Sequence, residues 1–228
     1  MSGSAFFRRI TRFVASEDRN PAEDRLTQIS GAVLERVPGL ARCLALVWLD
    51  PDTAAASERA ATETGSVREL IAALPPDAAV IARTQVALLG RRVDLELRFY
   101  DGPSALTDSL VAIVWVEVKH GTRPGRGQLN AYHALRPGPV VLLSPRADLP
   151  PEETERACGV PERTWQATAR AAQRHRQRLP ADDPIADWLL REWLDYLRTE
   201  GLMDLEALGP EHMTALVHGD EARAALEQ

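Results

Sequence analysis

The first part of the chain carries apolar residues at the spacing of an α-helix. A helix is predicted over residues 21–37, because Asn20 can cap it, a proline suits its first position, and one face is apolar: Leu26, Ile29, Val33 and Leu34. Residues 40–49 are apolar throughout and favour a second, buried helix. The polar residues 50–66 predict a loop, and residues 67–74 predict a short helix that a proline pair ends.

The pattern then changes from helical to alternating. Residues 79–88 predict a first strand. Residues 91–100 predict a second strand with two different faces, one with Val93, Leu95, Leu97 and Phe99, the other with Asp94, Glu96, Arg98 and Tyr100. Residues 111–118 are apolar on both faces, so we expect this third strand at the centre of a sheet.

The rest of the chain alternates helix, strand and then helices. A helix over 125–135 precedes a strand over 140–144, and three helices follow: 161–178, 184–200 and 210–226. The connections between the first three strands are short enough for hairpins, so the chain predicts an α/β fold with a mixed sheet. We divide it into a basic amphipathic amino-terminal segment, a core, and a carboxy-terminal helical extension packed on the core: residues 1–20, 21–150 and 151–228.

Composition narrows the class of protein. The chain has 228 residues, of which 45% are hydrophobic and 26% charged, as is usual for a soluble globular protein. No apolar stretch approaches the roughly 20 residues that cross a bilayer, so we expect no membrane association. Cys43 and Cys158 are too few for a disulfide framework and lack zinc-site spacing, which makes a reducing cytoplasm the default compartment.

The charge distribution changes the picture that the net charge gives. A net charge of −6 argues against a nucleic-acid partner. However, residues 118–147 contain no Asp or Glu and include five basic residues: Lys119, Arg123, Arg126, Arg136 and Arg146. Residues 163–180 are a second acid-free island, with five arginines. Either the islands form a positive surface for a polyanion, or they are solvated arginine-rich faces.

Two acids and a lysine interrupt the apolar strands. If the second and third strands pair with Tyr100 opposite Val111, then Asp94 lies opposite Glu117, and Lys119 projects from the same face. Two adjacent carboxylates repel each other, and a divalent cation removes the repulsion. Oxygen ligands suit Mg²⁺ or Mn²⁺, which can activate water for attack on a phosphodiester.

Simpler interpretations of these residues stay open. Lys119 can form a salt bridge with one acid at a sheet end, without any metal. Glu96 shares a face with Asp94 and is an alternative ligand. Gln85 on the first strand either faces the site or only pairs at a sheet edge.

The segments "RRVDLEL", "WVEVKHG" and "GQLNAY" together resemble the PD-(D/E)XK nuclease superfamily, including its RecB-like members. Asp94 matches the motif's first acid, although Val93 replaces the usual proline, and Glu117 with Lys119 matches the (D/E)-x-Lys triplet. Gln128 and Tyr132 match the RecB-like Gln-x-x-x-Tyr motif on the next helix. The resemblance covers roughly residues 21–145 and implies a restriction-endonuclease-like αβββαβ core, followed by a carboxy-terminal helical segment.

The resemblance also implies roles for individual residues. Asp94 and Glu117 would bind the metal with the carbonyl of Val118, and Lys119 would be the catalytic lysine. Glu23, on the first helix, would bind the metal or position its water. Gln128 and Tyr132 would orient the site or touch the phosphate backbone; both lie on one helical face, and a merely polar face is the alternative. We expect nucleic-acid contacts from four basic residues: His120, Arg123, Arg126 and Arg136.

These observations predict a cytoplasmic Mg²⁺- or Mn²⁺-dependent nuclease that hydrolyses DNA. The family context suggests a restriction or phage-defence effector, with a protein partner in that system. Cutting both strands with one site per chain calls for two copies, so a homodimer is a further expectation. The alternative is a catalytically silent member of the fold that serves as a DNA-binding, sensor or structural subunit. An RNA or a small nucleotide is not excluded as the ligand.

Overall fold

The computed structural model describes residues 21–50, 58–88, 91–121, 128–135, 138–145 and 162–203. Several predictions lie outside these ranges: the segment 1–20, the helix 210–226, and three of the expected nucleic-acid contacts, Arg123, Arg126 and Arg136. Within the described part of the chain, no helix is long and apolar enough to cross a membrane.

Three helices precede the sheet: α1 (Pro21–Arg36), α2 (Leu40–Trp48) and α3 (Glu58–Ala73). The predicted bounds of α1 and α2 are confirmed to within one residue. The prediction of a loop over 50–66 is wrong from Glu58 onwards, where α3 begins. Alanine, glutamate and arginine all have high helix propensity, so the polar composition of this segment is compatible with a helix.

The strands form one five-stranded sheet in the order β1 to β5: β1 (Val80–Leu88), β2 (Arg91–Tyr100), β3 (Leu110–Val118), β4 (Val140–Ser144) and β5 (Glu162–Thr164). The pairs β1–β2 and β2–β3 are antiparallel, and β3–β4 and β4–β5 are parallel. The helix α4 (Gln128–Leu135) lies between β3 and β4 in the chain, as a parallel pair requires. The prediction of an α/β fold with a mixed sheet and a central β3 is confirmed.

Two details of the sheet differ from expectation. The alternation of β2 predicted a polar face, but Asp94 and Glu96 are buried, because the sheet is covered on both sides. Residues 162–164 were expected to be helical, yet they form β5. The hydroxyl of Thr164 accepts a hydrogen bond from the amide of Ala167, and this N-cap starts the next helix after β5.

Two helices follow the sheet, α5 (Trp165–Arg176) and α6 (Pro184–Thr199). Asp183 caps α6 by accepting a hydrogen bond from the amide of Ala186, and the predicted position of this helix is confirmed. The indole of Trp193 donates to the hydroxyl of Ser30 at 3.2 Å, which joins α6 to α1.

The buried apolar residues form two clusters. The larger cluster includes residues of α1, α2, α5 and α6 together with the sheet residues Leu95, Val116 and Val118. The smaller cluster lies where α4 packs on the sheet: Val93, Trp115, Leu129, Tyr132, Val140 and Leu142. The central strands are therefore buried on both faces, and any polar group on them is taken out of water.

Candidate active site

The register of β2 and β3 determines which side chains meet. The strands pair from Leu95 opposite Val116 to Phe99 opposite Ala112, and the same register carried on by one residue places Asp94 opposite Glu117. Tyr100 pairs with Leu110 and not with Val111, because a β-bulge follows Phe99. The bulge is confined to the other end of the strands, so the expected register is confirmed from Leu95 to Phe99, and Asp94 and Glu117 are the next residues in it.

Asp94, Glu117 and Lys119 are all buried, with exposed fractions of 9%, 2% and 7%. The ammonium of Lys119 lies 2.7 Å from Oε1 of Glu117. Oδ2 of Asp94 accepts a hydrogen bond of 3.0 Å from the backbone amide of Val118, between the other two residues. The three side chains that the sequence singles out therefore belong to one buried polar group.

The backbone of Lys119 is fixed on both sides. Its amide donates to the carbonyl of Leu143 on β4 at 2.8 Å. Its carbonyl accepts from the indole of Trp165, the first residue of α5, at 2.9 Å. Trp165 was not recognised from the sequence, because nothing in its local pattern indicates a contact with a strand 46 residues earlier.

The first turn of α1 brings Glu23 to the same place. Oε2 of Glu23 lies 3.5 Å from the ammonium of Lys119, and Oε1 accepts a hydrogen bond from the amide of His120 at 3.2 Å. The neighbouring Asp24 pairs with Arg92 of β2 at 3.0 Å. The predicted proximity of Glu23 to the acids and the lysine is confirmed; its role stays a prediction.

The pair Gln128 and Tyr132 contacts Glu117 through the glutamine. Nε2 of Gln128 lies 2.6 Å from Oε1 of Glu117 and 3.0 Å from the hydroxyl of Tyr132. The hydroxyl of Tyr132 donates to the carbonyl of Arg92 at 2.6 Å. Because both residues lie on one face of α4, they hold Glu117 in place from the side of the smaller core cluster.

Of the remaining basic residues considered for nucleic-acid contacts, some pair with other parts of the fold and some are exposed. The ring of His120 lies 3.3 Å from the carboxylate of Glu200, just after α6, a contact that the sequence did not predict. In the second basic island, Arg163 is buried and bonded to the carbonyl of Asp50, and Arg176 pairs with Asp187. Three arginines of that island are exposed: Arg170, Arg174 and Arg178.

The acidic side chains of the buried polar group all have raised pKa values. Burial, and then repulsion by Asp94, raise the pKa of Glu117 to about 8 in spite of the nearby Lys119. Burial also raises the pKa of Asp94. Burial, followed by the charge of Glu117, raises the pKa of Tyr132 to about 12.

The pKa of the basic residue, Lys119, is also raised. Burial alone would lower its pKa, but the carboxylates of Glu117, Glu23 and Asp94 together raise it above its ordinary value. Acids and base alike are thus shifted toward binding protons. For Glu117 and Asp94 burial is the larger cause and the charge of a neighbouring carboxylate adds to it, whereas the pKa of Lys119 is raised by the carboxylates around it.

The donor set suits a hard cation. Oε2 of Glu117 is buried and has no hydrogen-bond partner among the described residues. With a carboxyl of Asp94 beside it, the site offers oxygen ligands of the kind that Mg²⁺ and Mn²⁺ prefer. No three His, Cys, Asp or Glu side chains of the described residues form a ready-made metal group, so the protein would supply two carboxylates and leave other positions to backbone or water. The Val118 carbonyl stays a predicted ligand.

The charge of Glu96, the alternative ligand on β2, is already compensated by neighbouring donors. Its Oε1 lies 2.7 Å from Nε of Arg98 and 3.5 Å from Arg83, and its Oε2 accepts from the indole of Trp115 at 3.2 Å. Both oxygens therefore have donors, which favours Asp94 over Glu96 as the ligand.

Comparison with models of protein families, with curated proteins and with solved structures gives no match to this chain. A function is therefore inferred from the geometry described above together with the sequence motifs.

Proposed function

We propose that the chain is a metal-dependent nuclease that hydrolyses phosphodiester bonds of DNA, with Asp94 and Glu117 as the ligands of Mg²⁺ or Mn²⁺. The observation that carries the proposal is the group of buried carboxyls around Lys119, in which one oxygen of Glu117 has no donor among the described residues. A buried carboxylate without compensation is strongly disfavoured, and a divalent cation compensates it.

Each residue has a role that follows from its contacts. A bound cation would polarise a phosphoryl oxygen and lower the pKa of a coordinated water. Lys119, fixed at its backbone by β4 and α5, would stabilise negative charge on the phosphate with its ammonium. Gln128 would keep Glu117 oriented, and Glu23 would hold the ammonium from the other side.

The order of elements supports the family resemblance on which this proposal also rests. Between residues 21 and 144, the chain forms α1, then three antiparallel strands, then α4 and a parallel strand. This order is interrupted between α1 and β1, where two further helices, α2 and α3, are inserted. A restriction-endonuclease-like topology, and a role in restriction or phage defence, are parts of the proposal.

A path for a polyanion is available on α5. Arg170, Arg174 and Arg178 are exposed and recur every four residues, so they follow one side of the helix and its carboxy-terminal turn. The helix begins at Trp165, which contacts Lys119. Arginines at about 6 Å spacing along a helix can pair with successive phosphates of a strand. This surface makes nucleic acid a suitable substrate in spite of the net negative charge.

A cleavage assay tests the proposal. Purified protein is incubated with supercoiled plasmid, linear DNA or RNA in Mg²⁺, Mn²⁺ or EDTA. We expect metal-dependent cutting of DNA that falls at least about 100-fold in Glu117→Gln and Lys119→Ala. Glu96→Gln, a buried acid on the same sheet, is the matched control and should keep its activity. Cutting in EDTA, equal losses in all three variants, or binding of DNA without cutting in either metal would contradict the proposal.

A further inference from the structure

Gln85 interrupts the pairing of β1 with β2. The ladder joins Thr84 to Leu95 and Val86 to Val93, but the pair between them, Gln85 and Asp94, is missing. Gln85 has φ = 57°, and it is the one non-glycine residue with positive φ among the described residues. This left-handed conformation costs a residue with a Cβ about 1–2 kcal/mol. The break therefore falls at the position beside a proposed metal ligand.

The side chain of Gln85 is also in an unfavourable environment. Its Oε1 and Nε2 are both buried, and neither has a hydrogen-bond partner among the described residues. An amide without partners in an apolar environment costs about 1–3 kcal/mol. β1 is an edge strand of the sheet, and its residues Arg83 and Ala87 are exposed, so solvent is within reach of this strand.

The position of Gln85 explains why both costs are tolerated. The registers of β1 with β2 and of β2 with β3, each carried on by one residue from Leu95, place Gln85, Asp94 and Glu117 in one row across three strands. Neighbouring strands are about 4.8 Å apart, so the backbone of Gln85 runs beside that of Asp94, on the side away from Glu117. One oxygen of Asp94 already accepts from the amide of Val118. Strained and unsatisfied residues of this kind are concentrated at binding and active sites.

We propose that Gln85 is a further residue of the cation site, and that its carboxamide oxygen faces the cation bound by Asp94 or a water in its coordination shell. This inference rests on the proposed function. A carboxamide oxygen is an acceptable ligand for a hard cation and adds no charge to a site that already has an excess. A coordinated water can satisfy both orphan groups of the amide at once, because it donates to Oε1 and accepts from Nε2.

Three substitutions at Gln85 separate the amide from the backbone conformation. Gln85→Gly removes the carboxamide and also relieves the positive φ, so the variant should be at least as stable as the wild type in EDTA. Gln85→Asn suits the left-handed conformation but shortens the arm by one methylene group. Gln85→Glu keeps the length and an acceptor oxygen.

Binding of Mn²⁺ alone, followed by electron paramagnetic resonance, is the readout, with thermal unfolding in EDTA beside it. We expect Gln85→Gly and Gln85→Asn to bind Mn²⁺ about 10- to 100-fold more weakly than the wild type, while Gln85→Glu binds at least as tightly as the wild type. If Gln85→Gly and Gln85→Asn bind Mn²⁺ as the wild type does, the role of Gln85 is refuted and the nuclease proposal stands. Weaker binding by Gln85→Glu than by Gln85→Gly also refutes it. If the wild type binds no Mn²⁺, both proposals fall.

Discussion

Two buried acidic clusters lie close together on this sheet, and they differ in how their charge is compensated. In the balanced cluster, Glu96 has two arginines, Arg83 and Arg98, and an indole as donors. In the unbalanced cluster, the carboxyl groups of Asp94, Glu117 and Glu23 share the ammonium of Lys119. The first cluster is complete as it stands. The second requires a proton or a cation.

The comparison shows that burial of an acid does not by itself indicate function. Glu96 is as buried as Asp94, but its partners reach partly into solvent and satisfy both of its oxygens. Glu117 has a buried oxygen to which no group in the described part of the chain donates. Whether both carboxylate oxygens have hydrogen-bond donors therefore distinguishes a structural acid from a candidate metal ligand.

The largest difference between the clusters should appear when one basic side chain is removed from each. Lys119→Met removes the ammonium that pairs with Glu117 and Glu23, so we expect a loss of about 3 kcal/mol in the free energy of unfolding at pH 8.5 in EDTA. Mg²⁺ should restore part of it. Arg98→Met should cost less, because Glu96 keeps Arg83 and Trp115. Urea unfolding measures both; equal losses without any effect of Mg²⁺ would remove the distinction.

The pH dependence of stability should also separate the clusters. The pKa of Glu117 is raised from an ordinary value of 4.5 to about 8, so between these values the folded protein holds a proton that the unfolded chain has released. The contribution of this proton is present at low pH and is lost as the pH rises through about 8. From pH 6 to 8 in EDTA we expect the wild type to lose about 2 kcal/mol relative to Glu117→Gln.

The matching control for the pH series is Glu96→Gln, which should keep the slope of the wild type. Because the proposed cation would replace the proton on Glu117, saturating Mg²⁺ should flatten the wild-type profile. Parallel profiles for the wild type and Glu117→Gln in EDTA would show that Glu117 titrates in its ordinary range.

The close approach of α1 to the sheet is the next feature to test. A Cβ on Gly31 would lie 2.4 Å from the methyl group of Thr84, so in Gly31→Ala either α1 or the Thr84 side chain must shift, which should cost about 1–2 kcal/mol. Glu23 is carried on α1, so the substitution should disturb the unbalanced cluster and spare the balanced one. Gly65→Ala, in α3 with no atom within 4 Å, is the control and should stabilise the protein by about 0.5–1 kcal/mol. Thermal unfolding of both variants measures the difference, and equal shifts would contradict the close contact.

The smallest change in the free energy of unfolding is expected when Glu96 or Glu117 is replaced by neutral glutamine. Glu96→Gln weakens two charge-assisted hydrogen bonds with partly exposed arginines, so we expect a loss of about 1 kcal/mol in EDTA at pH 8. Glu117→Gln removes charge from a site with an excess, so it should leave the free energy of unfolding unchanged or raise it. A larger loss for Glu117→Gln than for Glu96→Gln in urea unfolding would reverse the comparison.

Several features of the site follow from local sequence. The alternation of β2 and the apolar run of β3 predict two strands with a short connection, and their register brings Asp94 opposite Glu117. The (i, i+4) spacing of Gln128 and Tyr132 predicts that both lie on one side of α4, and both do.

Other features depend on contacts that are distant in the sequence. Trp165 and Glu200 reach Lys119 and His120 from the carboxy-terminal helices, and no local pattern marks them. The burial of Glu96 could not be predicted either, because an alternating strand predicts a solvated face unless a second layer covers it. The helix over 58–66 was missed because its polar residues do not show an apolar stripe.

A direct measurement of cation binding tests the proposed role of the unbalanced cluster. Mn²⁺ is titrated into the wild type, Asp94→Asn, Glu117→Gln and Glu96→Gln by isothermal titration calorimetry at pH 7.5 in two buffers of different ionisation enthalpy. We predict that the wild type binds Mn²⁺ and releases a proton, that the first two variants bind at least about 100-fold more weakly, and that Glu96→Gln binds as the wild type does. Absence of binding to the wild type, or binding that survives both Asp94→Asn and Glu117→Gln, would contradict the proposal.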